Sequence, residues 1–253
     1  MASVIAITNQ KGGVGKTTTA INLGAALAQM GKRVLLVDAD PQGNTTSGLG
    51  IEKNKLDKCI YDVLVDDAES SQVIVSTEQA GLSVMPATLR LAGAEIELVS
   101  AMAREQRLKK AFVPIADSYD YIFIDCPPSL GLLTVNALTA ADKVLVPIQC
   151  EFYALEGLSQ LTKVIEMVRS HLNPDLAIGG VLLTLFDSRL NLSVQVAEDI
   201  KKHFGKLVFE TSIPRNVKLA EAPSFGQSAL EYDPVSKGSC AYIELAKEVV
   251  GRG

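Results

Sequence analysis

The residues with the most specific chemistry form a glycine-rich loop near the start of the chain. The stretch KGGVGKTT, residues 11–18, follows a short apolar run and precedes a helical pattern. Glycines at this spacing let backbone N–H groups turn inward around phosphate oxygens, and the N-terminus of the next helix adds partial positive charge. Lys16 is placed to neutralise β- and γ-phosphate charge, and the hydroxyl of Thr17 to bind Mg²⁺. The predicted phosphate-binding residues are Gly12, Gly13, Val14, Gly15, Lys16, Thr17 and Thr18.

Two features of this loop are unusual. The common motif G-x-x-x-x-G-K-[ST] begins with glycine, and Gln10 occupies that position here, although the later glycines still supply the turn. A second lysine, Lys11, stands five residues before Lys16. Lys16 already serves the phosphates of its own loop, so Lys11 is either a solvated charge or a residue that acts outside this loop.

Three aspartates at the ends of apolar runs are candidates for the metal and the water. Asp125 ends the run IFID and is predicted to hold Mg²⁺ through water, while Asp38 and Asp40 lie in LLVDADPQG. Alternation along a strand would place Asp38 and Asp40 on one side, facing the phosphates. Asp40 precedes Pro41, and Gly43 permits a mobile loop, so Asp40 is the predicted residue that orients an attacking water. The alternative is that these aspartates only cap helices or form turns. The predicted magnesium ligands are Thr17, Asp38 and Asp125.

These side chains need a scaffold that brings several strand ends together. Apolar, β-branched runs predict strands at residues 3–8, 33–40, 82–87, 119–128, 142–148, 177–187 and 207–214. Helical patterns alternate with them, among others at 17–31, at about 92–116 and at 238–250. The alternation predicts an α/β fold of the P-loop NTPase type, with a mostly parallel twisted sheet flanked by helices on both faces. The carboxyl ends of such strands share one edge, where ligands bind.

The length and composition narrow the class of protein. A chain of 253 residues fits a single domain, residues 1–253. Hydrophobic residues make up 47% and charged residues 21%, which excludes a disordered chain. No apolar run reaches the roughly 18 residues of a membrane helix. The N-terminus has no uninterrupted apolar core, so a cytoplasmic location is expected.

The cysteines and histidines predict no metal centre. Four cysteines are widely spaced and two histidines complete no zinc pattern with them, so free, mostly buried thiols are expected. A net charge of −5 argues against a uniformly basic nucleic-acid binder. The chain from residue 189 onward is relatively basic, with nine Lys/Arg against eight Asp/Glu. The stretch NKLD at 54–57 matches the guanine-reading motif of GTPases but lies too early in the chain, so adenine is the predicted base.

The chain closely resembles the ParA/Soj branch of the deviant Walker-A ATPases, which are relatives of MinD. The matching stretches run in order through nearly the whole chain and include NQKGGVGKTTTAINLG, VPIQCEFYALEGLSQL and IPRNVKLAEAPSFGQ; they cover residues 9–24, 31–50, 86–98, 119–142, 146–161 and 213–227. The resemblance implies a nucleoid-associated ATPase of weak intrinsic activity that acts in chromosome or plasmid segregation. It implies a homodimer formed with ATP and Mg²⁺, DNA binding without sequence preference, and release when a ParB-type partner stimulates hydrolysis.

The resemblance also implies roles for individual residues. Lys11 would cross the dimer interface to the partner's ATP and act in catalysis with Lys16 and Asp40. Adenine would contact Pro214, Arg215, Asn216 and Val217, largely through their backbone. Arg189 and Lys218 match the family's DNA contacts. Three further lysines of the basic quarter are additional candidates, with a solvated helix end as the alternative: Lys201, Lys202 and Lys206.

Three other functions on the same scaffold stay open. A MinD-like membrane-associated positioning ATPase would carry a basic amphipathic helix that lies on lipid, whereas the last helix here is one that the core itself needs. An electron-transfer protein like the nitrogenase iron protein would need a cluster-binding cysteine pair, and Cys126 has no obvious second cysteine. A metabolic ligase would need a substrate-specific acid or base beyond the ATP site, and the sequence offers none.

Overall fold

The computed structural model describes residues 2–151 and 154–252. Phe152 and Tyr153, within the resemblance at 146–161, therefore lie outside the described residues. The strands are β1 (Ser3–Ile7), β2 (Val34–Asp38), β3 (Val75–Ser76), β4 (Leu82–Met85), β5 (Tyr121–Asp125), β6 (Lys143–Gln149) and β7 (Ala177–Thr184). The helices are α1 (Lys16–Gln29), α2 (Asn44–Gly48), α3 (Ile60–Leu64), α4 (Leu91–Glu97), α5 (Arg107–Phe112), α6 (Leu132–Ala140), α7 (Ala154–His171), α8 (Asn191–Phe204), α9 (Val217–Glu221), α10 (Ala229–Tyr232) and α11 (Lys237–Arg252).

The strands form one sheet in the order β3-β4-β2-β5-β1-β6-β7. All neighbours pair in parallel except β3, which is antiparallel to β4. Every residue of β2 is buried, because helices cover both faces of the sheet. One face packs against α1 and α11, and the other against α3, α5, α6 and α7. The predicted fold class is confirmed.

The register aligns the strand ends that carry the predicted site. Asp125 at the end of β5 lies beside Ile7 of β1 on one side and beside Asp38 of β2 on the other. The loop after β1 and the two aspartates therefore meet at one edge of the sheet, as parallel strands require. Within the described ranges, no helix is long and apolar enough to cross a membrane.

The predicted strand at 207–214 is wrong. Only two isolated bridges form there, Val181 with Val208 and Phe186 with Pro214. Between them the backbone N–H groups of Glu210 and Thr211 donate to the carboxylate of Glu248 on α11, at 2.9 and 3.1 Å. A side chain therefore takes the place of a strand partner, and Pro214 has no N–H to offer a ladder.

The predicted continuous helix at 92–116 is also wrong. α4 ends at Glu97, α5 begins at Arg107, and Ala103 between them has a positive φ of 50°. The buried side chain of Asn136 fixes this break, because its amide donates to the carbonyl of Arg104 at 2.8 Å and its oxygen accepts from the N–H of Leu108 at 3.2 Å. A partner from α6 thus satisfies backbone groups that a continuous helix would satisfy internally.

Candidate functional site

The loop between β1 and α1 has the conformation of a phosphate cradle. Gly13 and Gly15 have positive φ values of 76° and 87°, a region that favours glycine, and Gly15 stands immediately before α1. A Cβ at Gly12 would meet nothing within 4 Å. Nothing in the described chain therefore requires glycine at Gly12, whereas the backbone turn itself requires it at Gly13 and Gly15.

Two side chains that the sequence analysis missed hold this loop. Thr184, the last residue of β7, donates its hydroxyl to the carbonyl of Val14 at 2.8 Å. Asn9 donates to the carbonyl of Pro147 at 2.8 Å and accepts from the N–H of Lys11 at 3.0 Å. Asn9 follows the predicted strand at 3–8 directly, and that position is the signal that could have identified it. Thr184 lies inside the predicted strand at 177–187, and the structure ends β7 at this residue. These bonds fix the loop to β6 and β7.

Lys16 lies in the loop with its amine partly enclosed. Its Nζ donates to the carbonyl of Lys11 at 3.3 Å. Burial lowers the pKa of Lys16, and the negative charge of Asp125 is the largest opposing influence. An ammonium that loses hydration without a carboxylate in direct contact gains from a bound anion, so this position suits phosphate.

The end of β5 offers an oxygen site for a divalent metal ion. The hydroxyls of Thr17 and Thr45 both donate to Oδ2 of Asp125, at 2.7 and 2.8 Å. Oδ1 of Asp125 is buried and has no hydrogen-bond partner among the residues that the structure describes. Burial raises the pKa of Asp125 to about 6. A hard cation would satisfy this orphaned oxygen, so Thr17 and Asp125 fit Mg²⁺. The sequence analysis missed Thr45, although it lies only two residues after Gly43 in the predicted loop.

The two aspartates after β2 have different surroundings. Asp38 is fully buried; its Oδ2 accepts from the N–H and hydroxyl of Thr46 at 2.8 and 2.7 Å, and its Oδ1 from the N–H of Asp40 at 3.3 Å. Burial raises the pKa of Asp38 to about 7, with the neighbouring Asp125 as the next cause. β2 ends at Asp38, so strand alternation does not extend to Asp40. Asp40 instead reaches the open cleft beside the loop.

This cleft, about 440 Å³ in volume, lies against the phosphate cradle. Leu185 in its wall has a positive φ of 50°, a strained conformation for leucine. The turn at Leu185 leads to Phe186, whose N–H donates to the carbonyl of Ile213 at 3.0 Å and so brings the stretch 213–216 to the cleft. Among the predicted adenine contacts, Asn216 lines the cleft. The other lining residues include Gly12, Gly13, Gly15, Lys16, Thr17, Thr18, Asp40, Thr184, Ile213 and Leu219.

Lys11 turns away from the cradle. Its ammonium forms an ion pair with the carboxylate of Glu151, in the segment after β6, and both side chains are about half exposed. The sequence analysis left a solvated charge and a role outside the loop as alternatives for Lys11. The structure pairs the Lys11 side chain with Glu151, a residue outside its own phosphate cradle.

The predicted DNA-contacting residues fall into two groups. Arg189 pairs with Asp187 at 2.6 Å and Lys218 with Glu221 at 3.0 Å, and both lie near the carboxyl edge of the sheet. Lys201 and Lys202 lie at the far end of α8, and Lys206 follows it. α8 has fourteen residues, so about 20 Å separates its two ends. The five residues therefore do not form one contiguous patch in a single chain.

The four cysteines are free, as predicted, and three of them are buried. Within residues 2–151 and 154–252, no three His, Cys, Asp or Glu side chains form a cluster that could hold a metal ion. The burial of the thiol raises the pKa of Cys126 far above its ordinary value. Cys126 is thus a core residue next to Asp125.

The chain is similar to known proteins along its whole length. A family model described as an AAA domain, AAA_31, matches residues 2–178. The chain is 56% identical over 249 residues to the chromosome partitioning protein ParA of Myxococcus xanthus, covering 98% of this chain and 88% of the relative. It is 61% identical over 253 residues to the sporulation initiation inhibitor protein Soj of Bacillus subtilis, covering 100% of both. The chain belongs to the ParA/Soj family.

A solved structure shares the fold of this ParA/Soj-family chain. Cobyrinic acid a,c-diamide synthase from Mycobacterium smegmatis, with bound ATP analog and magnesium, superposes with a TM-score of 0.87 at 42% identity, covering 99% of this chain and 95% of that one. The fold and the family resemblance predicted from the sequence are therefore confirmed.

Proposed function

We propose that the chain is an ATP-dependent dimerising switch that binds DNA without sequence preference and acts in chromosome or plasmid segregation, with residues 1–253 as one domain. The observation that carries the proposal is the arrangement at the carboxyl edge of the sheet. Lys16 lies in a glycine cradle, and the orphaned oxygen of Asp125 lies next to Thr17. Membership in the ParA/Soj family supports the biological role.

ATP would bind with its phosphates in the glycine cradle. The backbone N–H groups from Gly12 to Thr18 would donate to the phosphate oxygens, and the Lys16 ammonium would neutralise their charge. The base would extend toward Ile213, Asn216 and Leu219 in the wall of the cleft. We expect Pro214, Arg215 and Val217 to contribute through their backbone, which follows the bridge between Phe186 and Pro214.

Thr17 and Asp125 would hold Mg²⁺, as the fit of the orphaned oxygen suggests. When bound, the ion neutralises charge on the phosphate oxygens. Thr45 keeps the Asp125 carboxylate in place. Asp38 was predicted as a third ligand, and since three donors occupy its oxygens, we propose that it acts through water or through Thr46.

Hydrolysis needs a water in line with the terminal phosphate. Asp40 lines the cleft on the loop after β2, and we propose that it orients this water. Its Oδ1 accepts from the N–H of Gln42 at 2.9 Å, which holds the carboxylate in a short turn. Glycine at Gly43, with a φ of 63°, lets this turn form. We expect weak intrinsic activity, which a ParB-type partner stimulates.

Dimerisation would complete the site. Lys11 contacts Glu151 in the single chain and points away from its own cradle. In the dimer we propose that it reaches the ATP of the partner, so that ATP binding and dimerisation are thermodynamically linked. DNA would bind through its phosphates to Arg189 and Lys218, and the dimer would present each of these residues twice. The expected location is the cytoplasm, on the nucleoid.

Two alternatives are less well supported. A MinD-like membrane ATPase would use a lipid-binding terminal helix, whereas the apolar face of α11, including Tyr242 and Leu245, is buried against α1. A metabolic ligase is suggested by the name of the superposed synthase, but the identity to Soj is higher, 61% against 42%.

Plasmid retardation in the presence of ATP, ADP or no nucleotide tests the proposal. We expect retardation with ATP alone, at a protein concentration that depends steeply on salt. Flotation with anionic vesicles under the same conditions should leave the protein unbound. Nucleotide-independent retardation, or ATP-dependent flotation without retardation, would contradict the proposed switch.

A further inference from the structure

A second cleft lies on the other side of the loop that carries Asp40. It has a volume of about 430 Å³. Gln42 lines both this cleft and the cleft that lies against the phosphate cradle, which we call the nucleotide cleft. We call it the basic cleft because three cations and no carboxylate line it among the residues that the structure describes. Its principal polar and charged residues are Gln42, Lys53, Asn54, Lys58, Thr88 and Arg90.

Two of the three cations carry uncompensated charge. Lys53 donates to the carbonyl of Gln42 and Lys58 to the side-chain oxygen of Gln72, both at 2.7 Å. Neither has a carboxylate within ion-pair distance in the part of the chain that the structure describes. Arg90 is different, because both of its terminal nitrogens contact the carboxylate of Asp62. A local excess of positive charge in a concave site favours an anionic ligand.

The free donors of the cleft suit an anion with several phosphate oxygens. The fork of Arg90, which could bind a carboxylate or a phosphate, is occupied by Asp62. The available groups are two lysine point charges with the amide of Asn54 and the hydroxyl of Thr88 beside them. Lysine binds phosphate as a point charge, and a phosphate chain offers oxygens to both lysines at once. The volume lies within the range of small-molecule sites.

Both walls of the basic cleft connect to the strand-end aspartates. On one side, Lys53 holds the carbonyl of Gln42, whose N–H donates to Asp40. On the other, the N–H of Ala87 donates to the hydroxyl of Thr46 at 2.9 Å, and Thr46 donates to Asp38 at 2.7 Å.

The loop between these walls is tightly packed. A Cβ at Gly43 would lie 2.8 Å from Cδ of Lys53 and 2.9 Å from the carbonyl of Ala87. Movement of Lys53 would therefore change the packing around the turn that holds Asp40.

We infer that the basic cleft is a regulatory site for a small anion with two or more phosphate groups. The anion draws Lys53 away from Gln42 and so loosens the turn that positions Asp40. Binding of the anion is independent of the proposed ATPase function, whereas the effect on turnover rests on it. The NKLD stretch, whose Asn54 and Leu56 line this cleft, thus contributes to an anion site.

Calorimetric titration with inorganic tripolyphosphate tests the binding. The protein is the Lys16→Ala variant, in which the glycine cradle has lost its cation. We expect saturable binding that weakens about tenfold when Lys58→Gln is added, because one charged hydrogen bond to the anion is removed. Lys55→Gln is the matched control, because Lys55 lies in the same stretch but pairs with Glu52 at 2.8 Å. Unchanged binding in Lys58→Gln, or no saturable binding, would overturn the site.

Two further arms separate the ligand class from the regulatory effect. Equal affinity for citrate would overturn the assignment to phosphate, and Lys58-dependent binding of duplex DNA without tripolyphosphate binding would reassign the cleft to DNA.

At saturating ATP and Mg²⁺, tripolyphosphate should slow turnover several-fold in the wild type and in Lys55→Gln, but not in Lys58→Gln. Binding with unchanged turnover would refute the regulatory effect alone. A wild type without ATPase activity would refute the proposed function while the binding result stands.

Discussion

Lys11 and Glu151 form an ion pair across 140 residues of sequence, at the edge of the nucleotide cleft. The pair keeps the Lys11 ammonium away from the cradle of its own chain. Both side chains are about half exposed, and ion pairs of this kind contribute roughly 0–1 kcal/mol. In the proposed dimer, Glu151 would therefore compete only weakly with the partner's ATP for the Lys11 ammonium.

Removal of this competitor should favour the dimer. In Glu151→Gln, we expect ATP-dependent dimerisation at a protein concentration up to about thirtyfold lower, because each of the two protomers no longer gives up an exposed pair worth about 1 kcal/mol at most. Lys11→Ala should still bind ATP but neither dimerise nor turn over. Sedimentation velocity with and without ATP measures both variants. A normal dimer of Lys11→Ala would assign Lys11 to the structural pair with Glu151 alone.

Lys16→Ala should abolish ATP binding. The Lys16 ammonium is the cation enclosed by the glycine cradle, and its loss leaves phosphate charge without a counter-charge. Labelled-ATP binding measures the effect, with Lys11→Ala as the control that still binds ATP. The melting temperature of each variant checks that the chain is folded. Affinity within a few-fold of the wild type would refute the assignment of the cradle.

Asp40→Ala should bind ATP and form a stable dimer, but hydrolyse ATP slowly. Without its carboxylate the attacking water loses its orientation, and such groups contribute about a hundredfold or more to rates. Phosphate release under saturating ATP measures the change. Asp175→Ala, at an exposed loop position, should keep the wild-type rate. Wild-type turnover in Asp40→Ala would move the water-orienting role to another residue.

Arg189→Ala with Lys218→Ala should weaken the binding of all DNA sequences alike. The slope of log affinity against log salt should become shallower by about 0.9 for each DNA phosphate that the variant no longer neutralises. ATP binding and dimerisation should stay intact, since neither side chain enters the glycine cradle. The matched variant is Lys201→Ala with Lys202→Ala, which removes equal charge about 20 Å away along α8.

The comparison between the two double variants decides which group contacts DNA. An effect confined to Lys201 and Lys202 would place the DNA face at the end of α8. Unchanged retardation and salt slope in both variants would place it elsewhere, and the basic stretch REQRLKK at 104–110 is then the next to change.

Asp120→Asn should destabilise the protein in a pH-dependent way. Asp120 accepts three hydrogen bonds from Arg33, which hold the pKa of its carboxyl at about 2. The folded chain thus binds fewer protons than the unfolded chain between about pH 4 and pH 2. The Asp120–Arg33 bonds therefore contribute fully to the free energy of unfolding above about pH 4, and this contribution is lost as the pH falls through about 2. We expect a melting temperature about 2 °C lower at about pH 7, with a difference that shrinks as the pH falls toward about 2. Lys247→Met, which removes an exposed helix-surface pair, is the control.

The fold was predictable from the sequence because the local patterns are strong. Apolar runs such as that of β2 are buried on both faces and can only be interior strands of a helix-covered sheet. The errors arose where a distant side chain satisfied the backbone. Glu248 pairs with the N–H groups at 210–211, and Asn136 bonds the backbone of Arg104 and Leu108 where α5 begins. Neither partner can be recognised from the local pattern.

By itself, the sequence determined the cradle. Glycines at fixed spacing with Lys16 and Thr17 are adjacent in the chain, and the register of parallel strands brings Asp125 to them. The hydrogen-bond and ion-pair partners of the cradle and of Asp125 depend on the tertiary structure. Thr45 reaches Asp125 across 80 residues, Thr184 reaches Val14 across 170, and Lys11 reaches Glu151 across 140. The physical reason is that hydrogen bonds and ion pairs depend on distances of a few ångströms between atoms. Those distances are set by how strands and helices pack, and the order of residues does not specify them.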